Sequence, residues 1–262
     1  MATEVKPVAV GEIRAASTTG GGTALTTTVT RILLPLGTQE VTLIPRNAAG
    51  GAVVCKFNFN PFLTVLKTTD DHATFTDYST EAQDGSTSTD ITLSSLGTLV
   101  NGDALYVGAH VPFSGLVVDV DLTNSTASVL TGSYWDGSAW VSLSVTDGSA
   151  AAGATFGQDG DITWTVPSAW VEGAPHGLGH VSNAMRFWAR FTVSAALDST
   201  TTLNSLLAIT RNTTYGELPF GMTYTKGIRV VTGGWASVNA LTDAGTGNLI
   251  VNVETRPDSR FS

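Results

Sequence analysis

The sequence predicts an all-β protein of the β-sandwich or jelly-roll type. Short apolar segments, such as those at 40–44 and 116–120, recur along the 262 residues and are rich in Val, Ile and Leu. Gly, Pro, Asn and Asp stand between these segments, as expected of turns that join short strands. No segment combines a helical apolar period with convincing caps. Many short strands with turns between them are typical of sandwiches and jelly rolls.

The central part of the chain predicts eight consecutive strands, at 91–93, 104–107, 116–120, 127–134, 140–145, 162–166, 187–193 and 203–209. Eight strands with polar turns are enough to close a complete sandwich. A polar stretch beginning at residue 68 indicates a boundary before this block. We therefore assign residues 76–211 to a jelly-roll-like domain.

The flanking segments predict about four strands on each side of that domain. Their similar texture suggests that 27–75 and 212–262 complete one small β domain, into which the jelly-roll domain is inserted. Residues 1–26 include a tract of Ala, Ser, Thr and Gly at 15–23 with no apolar pattern. We interpret them as a flexible N-terminal arm that orders only against a neighbouring molecule.

Two local patterns in the central block are specific. Asp136 and Gly137 lie between two strands, and an Asp-Gly pair supplies the positive φ angles of a tight hairpin. The segment 186–193 alternates strictly, so that its two faces differ. Phe187, Ala189, Phe191 and Val193 would face the core. Trp188, flanked by Arg186 and Arg190, would then lie against a loop or a partner.

The net charge and the apolar runs of the chain indicate which partners it does not bind, and its N-terminal residues indicate where it is made. The net charge is -9 and no Lys/Arg-rich run offsets it, which excludes the usual electrostatics of nucleic-acid binding. No apolar run approaches the roughly 18 residues of a membrane span, and no secretory signal is recognisable. We expect synthesis and folding in a cytoplasm.

Cys55 is the single cysteine, so it forms no intrachain disulfide, and we interpret it as a buried, inert thiol.

The residues that could hold a metal form no recognised motif. His176 and His180 lie four apart with intervening glycines and no third ligand, so a solvent loop is the preferred interpretation and a metal pair the alternative. Asp119, Asp121 and Asn124 carry the oxygen atoms that calcium prefers, without the EF-hand spacing. The same residue types are common in turns. We predict no cofactor, with calcium at these three residues as the alternative.

Catalytic motifs are also absent from the sequence. No Gly-x-Ser-x-Gly elbow or phosphate-binding loop occurs, so we predict a protein that is not an enzyme. The most informative chemistry is a run of aromatic residues within 134–188. Tryptophan fills sandwich cores, and it also forms platforms on which sugars stack. Core packing is the preferred interpretation, and a glycan-binding module for host adhesion is an alternative. The residues are Tyr134, Trp135, Trp140, Trp164, Trp170 and Trp188.

The motifs at 134–141, 161–170 and 187–197 follow one another as a Trp-flanked hairpin, a Trp-x-x-Pro-x-x-Trp segment and an aromatic strand. In this order they resemble a β-sandwich module of structural proteins from tailed bacteriophage particles, over roughly 134–211. The resemblance implies a non-enzymatic subunit present in many copies and assembled into the virion in the host cytoplasm. A capsid decoration or head-associated role is preferred, and a tail or baseplate position is the alternative. Its implied partners are copies of itself and other virion proteins, the major capsid or tail subunits.

Two segments are the predicted interfaces of such a subunit. One is the N-terminal arm. The other is the loop 172–183, which is rich in Gly and His and begins at Glu172. Together with the face of 186–190, this loop supplies the candidate contact residues: Glu172, His176, His180, Arg186, Trp188 and Arg190.

Overall fold

The computed structural model describes residues 9–13, 22–35, 38–69, 74–84, 86–88, 90–94, 96–97, 102–175, 185–210, 216–220, 228–231 and 235–255. These residues form antiparallel sheets joined by turns and contain no helix, which confirms the predicted all-β class. It follows that no helix in these ranges is suited to crossing a membrane.

The described strands, in chain order, are β1 (Ala9–Ile13), β2 (Thr23–Leu25), β3 (Thr30–Leu33), β4 (Thr38–Ala49), β5 (Val54–Pro61), β6 (Thr64–Thr69), β7 (Thr74–Asp77), β8 (Ile91–Thr92), β9 (Ala104–Ala109), β10 (Gly115–Leu122), β11 (Leu130–Trp135), β12 (Trp140–Leu143), β13 (Val145–Asp147), β14 (Gly160–Trp164), β15 (Glu172–Gly173), β16 (Arg186–Val193), β17 (Thr202–Ile209), β18 (Gly216–Pro219), β19 (Ile228–Val231), β20 (Trp235–Thr242) and β21 (Thr246–Thr255). Seven of the eight strands predicted for the central block are present with ends shifted by a few residues, whereas the one predicted at 140–145 divides at Ser144 into β12 and β13, which belong to different sheets.

The chain divides into two compact units. The first unit combines residues 1–60 with 212–262 and contains two sheets. One sheet has the order β1-β21-β4-β19, with β2 also paired to β21, and the other has the order β18-β5-β20-β3. Apolar side chains of both sheets form one core, including Val41 and Leu43 from β4, Phe57 from β5, and Val238 from β20. Burial of these alternating residues fixes the register of each strand.

The N-terminal segment contributes strands to this first unit. β1 pairs with β21 from Ala9 opposite Thr255 to Ile13 opposite Val251, and β2 pairs with the same strand farther along. Leu25 of β2 is only 1% exposed and belongs to the core. The prediction of a flexible arm is therefore wrong for 9–13 and 23–25. These runs are too short to show an alternating pattern, and their order comes from the backbone of β21. Residues 1–8 and 14–21 lie outside the described residues.

The second unit, residues 61–211, also contains two sheets. Their orders are β13-β14-β10-β17-β8 and β12-β11-β16-β9-β6-β7, with β15 paired to β16. The main core lies between these two sheets, where Val107 and Phe191 of the second sheet pack in one cluster with Leu116 and Leu206 of the first. This is the arrangement of a sandwich.

The boundary between the units differs from the one predicted after residue 75. β6 pairs with β9, with Val65 opposite Val107, and β7 extends the same sheet beyond β6. Val65 and Leu66 are both buried. Residues 61–75 therefore belong to the second unit. The polar composition after β6 indicated a domain boundary, but β6 and the next strand, β7, pair with each other as a hairpin.

The hairpin at Asp136 and Gly137 is confirmed in position and differs in detail. Trp135 lies opposite Trp140, and of the Asp-Gly pair only Gly137 has a positive φ, of 99°. The Asp136 carboxylate accepts hydrogen bonds from the backbone N–H groups of Ser138, at 2.8 Å, and Ala139, at 2.7 Å. The Asp136 carboxylate therefore closes the turn, and Asp136 itself does not need the positive φ that was predicted for it.

We predict that a fragment of residues 61–211 folds by itself and that a fragment of 76–211 does not. The longer fragment retains β6, whose Val65 and Leu66 are buried and whose backbone completes the pairing of β9. Urea unfolding followed by circular dichroism would show one cooperative transition for 61–211 and none for 76–211. A cooperative transition of equal midpoint in both fragments would contradict the observed boundary.

Candidate interaction surface

Trp188 is not on the surface. Its side chain is 0% exposed and packs in a second apolar cluster with Leu66, Tyr106 and Trp135. Gly108 makes room for it, because a Cβ at that position would lie 2.7 Å from the Trp188 ring. The alternation of β16 is confirmed, since Ala189 and Phe191 belong to the main core. Of the two predicted surroundings of Trp188, a loop or a partner, the partner is wrong, because no part of this side chain is exposed.

Arg190 contacts side chains of the two neighbouring strands β11 and β12. Its guanidinium lies over the ring of Trp140, 4.9 Å from the ring centroid, and donates a 3.4 Å hydrogen bond to the Ser133 hydroxyl. Trp140 also contacts the rings of Tyr106 and Trp135. A cation over an aromatic face gains electrostatic energy from the ring quadrupole. Arg190 therefore caps the second cluster and is half-buried, which leaves only part of it for a partner.

Glu172 and Arg186 lie on neighbouring strands at one end of the sheet. β15 pairs with β16, with Glu172 opposite Phe187 and Gly173 opposite Arg186. Both charges act on His110, which follows β9. Burial lowers the pKa of His110, the Arg186 cation lowers it further, and the Glu172 carboxylate raises it. Glu172 is exposed, and Arg186 and His110 are half-buried. Of the predicted contact residues in the described ranges, Glu172 is the exposed one, and Arg186 is half-buried like Arg190. His176 and His180 lie outside the described residues.

The three calcium candidates have partners within the protein. Asp119 accepts a hydrogen bond from the Asn204 amide at 3.1 Å, and Asp121 accepts one from the Thr202 hydroxyl at 2.9 Å. The side-chain oxygen of Asn124 accepts backbone N–H bonds from Thr126 and Asp198, both at 3.1 Å. No three His, Cys, Asp or Glu side chains converge on a possible ion site anywhere in the described ranges.

Asn124 instead holds three segments of the chain together. It is 3% exposed, and its amide nitrogen donates to the carbonyl oxygens of Thr126 and Thr155 and to the hydroxyl of Ser128. Both donors and the acceptor of this side chain are therefore occupied by protein groups. This arrangement favours the turn interpretation of Asn124 over a calcium ligand.

The tryptophans of the central block form no open platform. Trp135, Trp164 and Trp170 are each 6–7% exposed, and the Trp164 and Trp170 indole N–H groups donate to backbone carbonyls. Trp164 and Trp170 pack edge-on or tilted against Phe113 in the main core. Trp140 is half-buried beneath Arg190. The tryptophan set therefore fills the two apolar clusters.

Cys55 is buried in the core of the first unit. Burial raises the pKa of its thiol to about 12. The thiolate form, which is the nucleophile, is therefore not populated at neutral pH. The buried position predicted for this residue is confirmed.

Aspartates that close turns are the feature that sequence reasoning missed. Many of them accept hydrogen bonds from backbone N–H groups or hydroxyls within or between loops. Asp243 binds the N–H groups of Val53 and Val54, which lie 190 and 189 residues away in sequence. Asp-x-Ser is the local signal, because the carboxylate accepts from the residue two positions ahead. It recurs at Asp77, Asp84, Asp136 and Asp147.

Asp198 has the strongest set of such bonds. Its carboxylate accepts from the hydroxyl and the backbone N–H of Ser125, each at 2.6 Å, and from the hydroxyl of Thr126. The Ser125 hydroxyl, then the Thr126 hydroxyl and the Ser125 N–H, hold the pKa of Asp198 down at about 2. Hydrogen bonds to the charged form favour ionisation. The bonds that Val53 and Val54 donate similarly lower the pKa of Asp243.

No protein-family model matches this chain, and no curated protein is significantly similar to it. The resemblance of 134–211 to a virion module therefore depends on its motifs alone.

We predict that Asp198→Asn reduces the dependence of stability on pH between about 4 and 2. The pKa of Asp198 is about 2 in the folded chain and about 3.9 when unfolded. Its stabilisation is therefore complete above about pH 4 and is lost as the pH falls through 2. The variant lacks this titration, so its free energy of unfolding should be lower at pH 7 and should change less on acidification.

Urea unfolding at pH 7, 4, 3 and 2 would test this expectation. Asp119→Asn is the matched control, since Asp119 is exposed and accepts one hydrogen bond from Asn204. The control should follow the wild-type dependence on pH. An Asp198→Asn profile as steep as the wild-type profile would contradict the assignment.

Proposed function

We propose that this chain is a non-enzymatic structural subunit of a tailed bacteriophage particle. The preferred position is on the head, as a capsid decoration or head-associated protein in contact with the major capsid subunit. The alternative position is the tail or baseplate. Copies of the chain would associate with one another as well as with the other virion proteins.

The observation that carries this proposal is the use of aspartates to close turns. Four aspartate carboxylates accept hydrogen bonds from backbone N–H or hydroxyl groups of the surrounding loops, and these bonds make the loops rigid. The four are Asp136, Asp147, Asp198 and Asp243. An acid–base mechanism needs carboxylates aimed at a substrate. A subunit that docks repeatedly benefits from rigid loops, because less conformational entropy is lost on binding.

The sparse charge of the surface also supports an assembling subunit. Charged residues make up 13% of the chain, compared with about 25% in average globular proteins. Lys56 and Glu217 form an exposed salt bridge, with 3.8 Å between nitrogen and oxygen. Low charge density reduces the repulsion between copies. The net charge of -9 favours a position away from packaged DNA, which is consistent with the outside of a head.

The surface at Glu172 and Arg186 is the proposed contact with a neighbouring subunit. It lies at the end of the sheet where β15 meets β16, next to the loop 172–183 that the sequence indicated. The exposed Glu172 carboxylate and the half-buried Arg186 guanidinium both act on His110 and offer one charge of each sign to a partner. Such groups typically set the register and specificity of an interface.

We predict that the protein is a stoichiometric component of purified phage particles. Particles from the source that encodes this chain would be banded on a density gradient and analysed by quantitative mass spectrometry. The peptide abundance should correspond to many copies per particle and should persist through a second gradient. Particles that lack the chain, or that lose it on the second gradient, would overturn the proposal.

We predict that Glu172→Arg lowers incorporation into particles at least several-fold without unfolding the protein. The substitution reverses an exposed charge and removes no hydrogen bond or core contact within the described part of the chain. Glu81→Arg is the control, because Glu81 is a half-buried carboxylate in a turn of the same unit. Incorporation would be measured against wild type in a complementation assay, with circular dichroism to confirm folding. Equal incorporation of Glu172→Arg and wild type would remove this surface from the interface.

A further inference from the structure

A cleft of about 780 Å³ opens at one edge of the unit 61–211. Six hydroxyl-bearing residues from two stretches of chain line it, together with parts of the aromatic residues Tyr134 and Trp164. The six are Ser142, Ser144, Thr146, Thr163, Thr165 and Ser168.

The cleft forms where the chain crosses from one sheet to the other. β12 is the edge strand of one sheet, β13 is the edge strand of the other, and Ser144 is the single residue between them. Ser142, Ser144 and Thr146 are exposed, whereas Leu143 and Val145 between them pack on the main core. Thr146 lies opposite Thr163 on β14. The strand period of two therefore aligns hydroxyls from both stretches along one open edge.

These hydroxyls are available for hydrogen bonding. In the described part of the chain none of the six forms a hydrogen bond with another protein group, in contrast to the hydroxyls of Ser125 and Thr126, which bind Asp198. Each hydroxyl can donate one hydrogen bond and accept two. A concave surface thus presents six donor–acceptor groups to whatever enters it.

The lining is neutral, and its aromatic residues show only their edges. None of the described residues that line the cleft is charged, so an ionic ligand would lose its hydration without gaining a counter-charge from them. Tyr134 and Trp164 are 8% and 7% exposed, and the Trp164 N–H donates to the carbonyl of Phe113. A ring face is therefore not open for stacking. Recognition would depend on hydroxyl hydrogen bonds, with apolar contact at the ring edges and at Leu143.

We propose that this cleft binds a neutral oligosaccharide. Sugar hydroxyls match the donor–acceptor groups of the lining, and the C–H surface of a sugar ring matches the apolar parts. The volume lies within the range of about 300–1,000 Å³ that is usual for ligand pockets. The inference does not depend on the proposed particle function, since particle mass spectrometry and sugar binding are measured separately.

The first test is binding by the full chain. A glycan array would compare neutral oligosaccharides with sialylated and sulfated ones, and maltotriose, cellotriose and 3′-sialyllactose would be titrated into ¹⁵N-labelled protein. We expect binding of at least one neutral glycan, with amide shifts concentrated at 142–146 and 163–168, and none from 3′-sialyllactose. Absence of neutral binding on the array, preference for anionic glycans, or shifts confined to other residues would overturn the proposal.

The second test uses paired variants against the neutral glycan that binds on the array. Thr146→Ala with Thr163→Ala removes two unbonded hydroxyls and should weaken binding at least tenfold, since the ligand would lose the hydrogen bonds of both. Thr123→Ala with Thr200→Ala, at exposed threonines outside the cleft lining, is the matched control and should bind as wild type. Unchanged affinity in the first pair would overturn the assignment. If that pair fails to fold, the shift map of the wild-type protein decides.

Discussion

The burial of β16 on both faces is the constraint on which the second unit depends. One face contributes Ala189 and Phe191 to the core between the sheets, and the other places Trp188 in a second apolar cluster. The backbone of this strand is paired on both edges as well, since β16 lies between β11 and β9. Its neighbours adapt to it, since Gly108 leaves space for the Trp188 ring. The edge strands β12 and β7 then follow from the order of the sheet.

The same constraint separates what the sequence could predict from what it could not. Alternation in 186–193 predicted the strand and its two faces correctly. It could not show that the second face is also covered, because Trp188 between two arginines has the same pattern whether solvent or other side chains surround it. The central strands were predictable because each carries its own apolar period. β1 and β2 were not, since their order depends on hydrogen bonds from β21, which is more than two hundred residues away.

The candidate surfaces divide in a similar way. Glu172 and Arg186 were identified from a loop composition and a charge pattern, and the structure places them on paired strands. The hydroxyl-lined cleft was not predicted, because serines and threonines are common throughout the chain and only the crossing from β12 to β13 brings six of them to one edge. The turn-closing aspartates could be predicted from the sequence only in part. The Asp-x-Ser spacing is visible in the sequence, whereas the long-range bonds of Asp198 and Asp243 require the fold.

The pairing of β21 with β1, β2 and β4 has a consequence for the order of events during synthesis. The ribosome completes residues 61–211 before it makes β21, so the sheet that contains the N-terminal strands lacks its central member until then. Domains generally fold as units while translation proceeds. The second unit can therefore fold first and the first unit afterwards, because β1 and β2 have no pairing partner until β21 is made. Until β19 and β21 are made, β4 has no strand to pair with on either side, so this sheet cannot form before synthesis nears the end of β21.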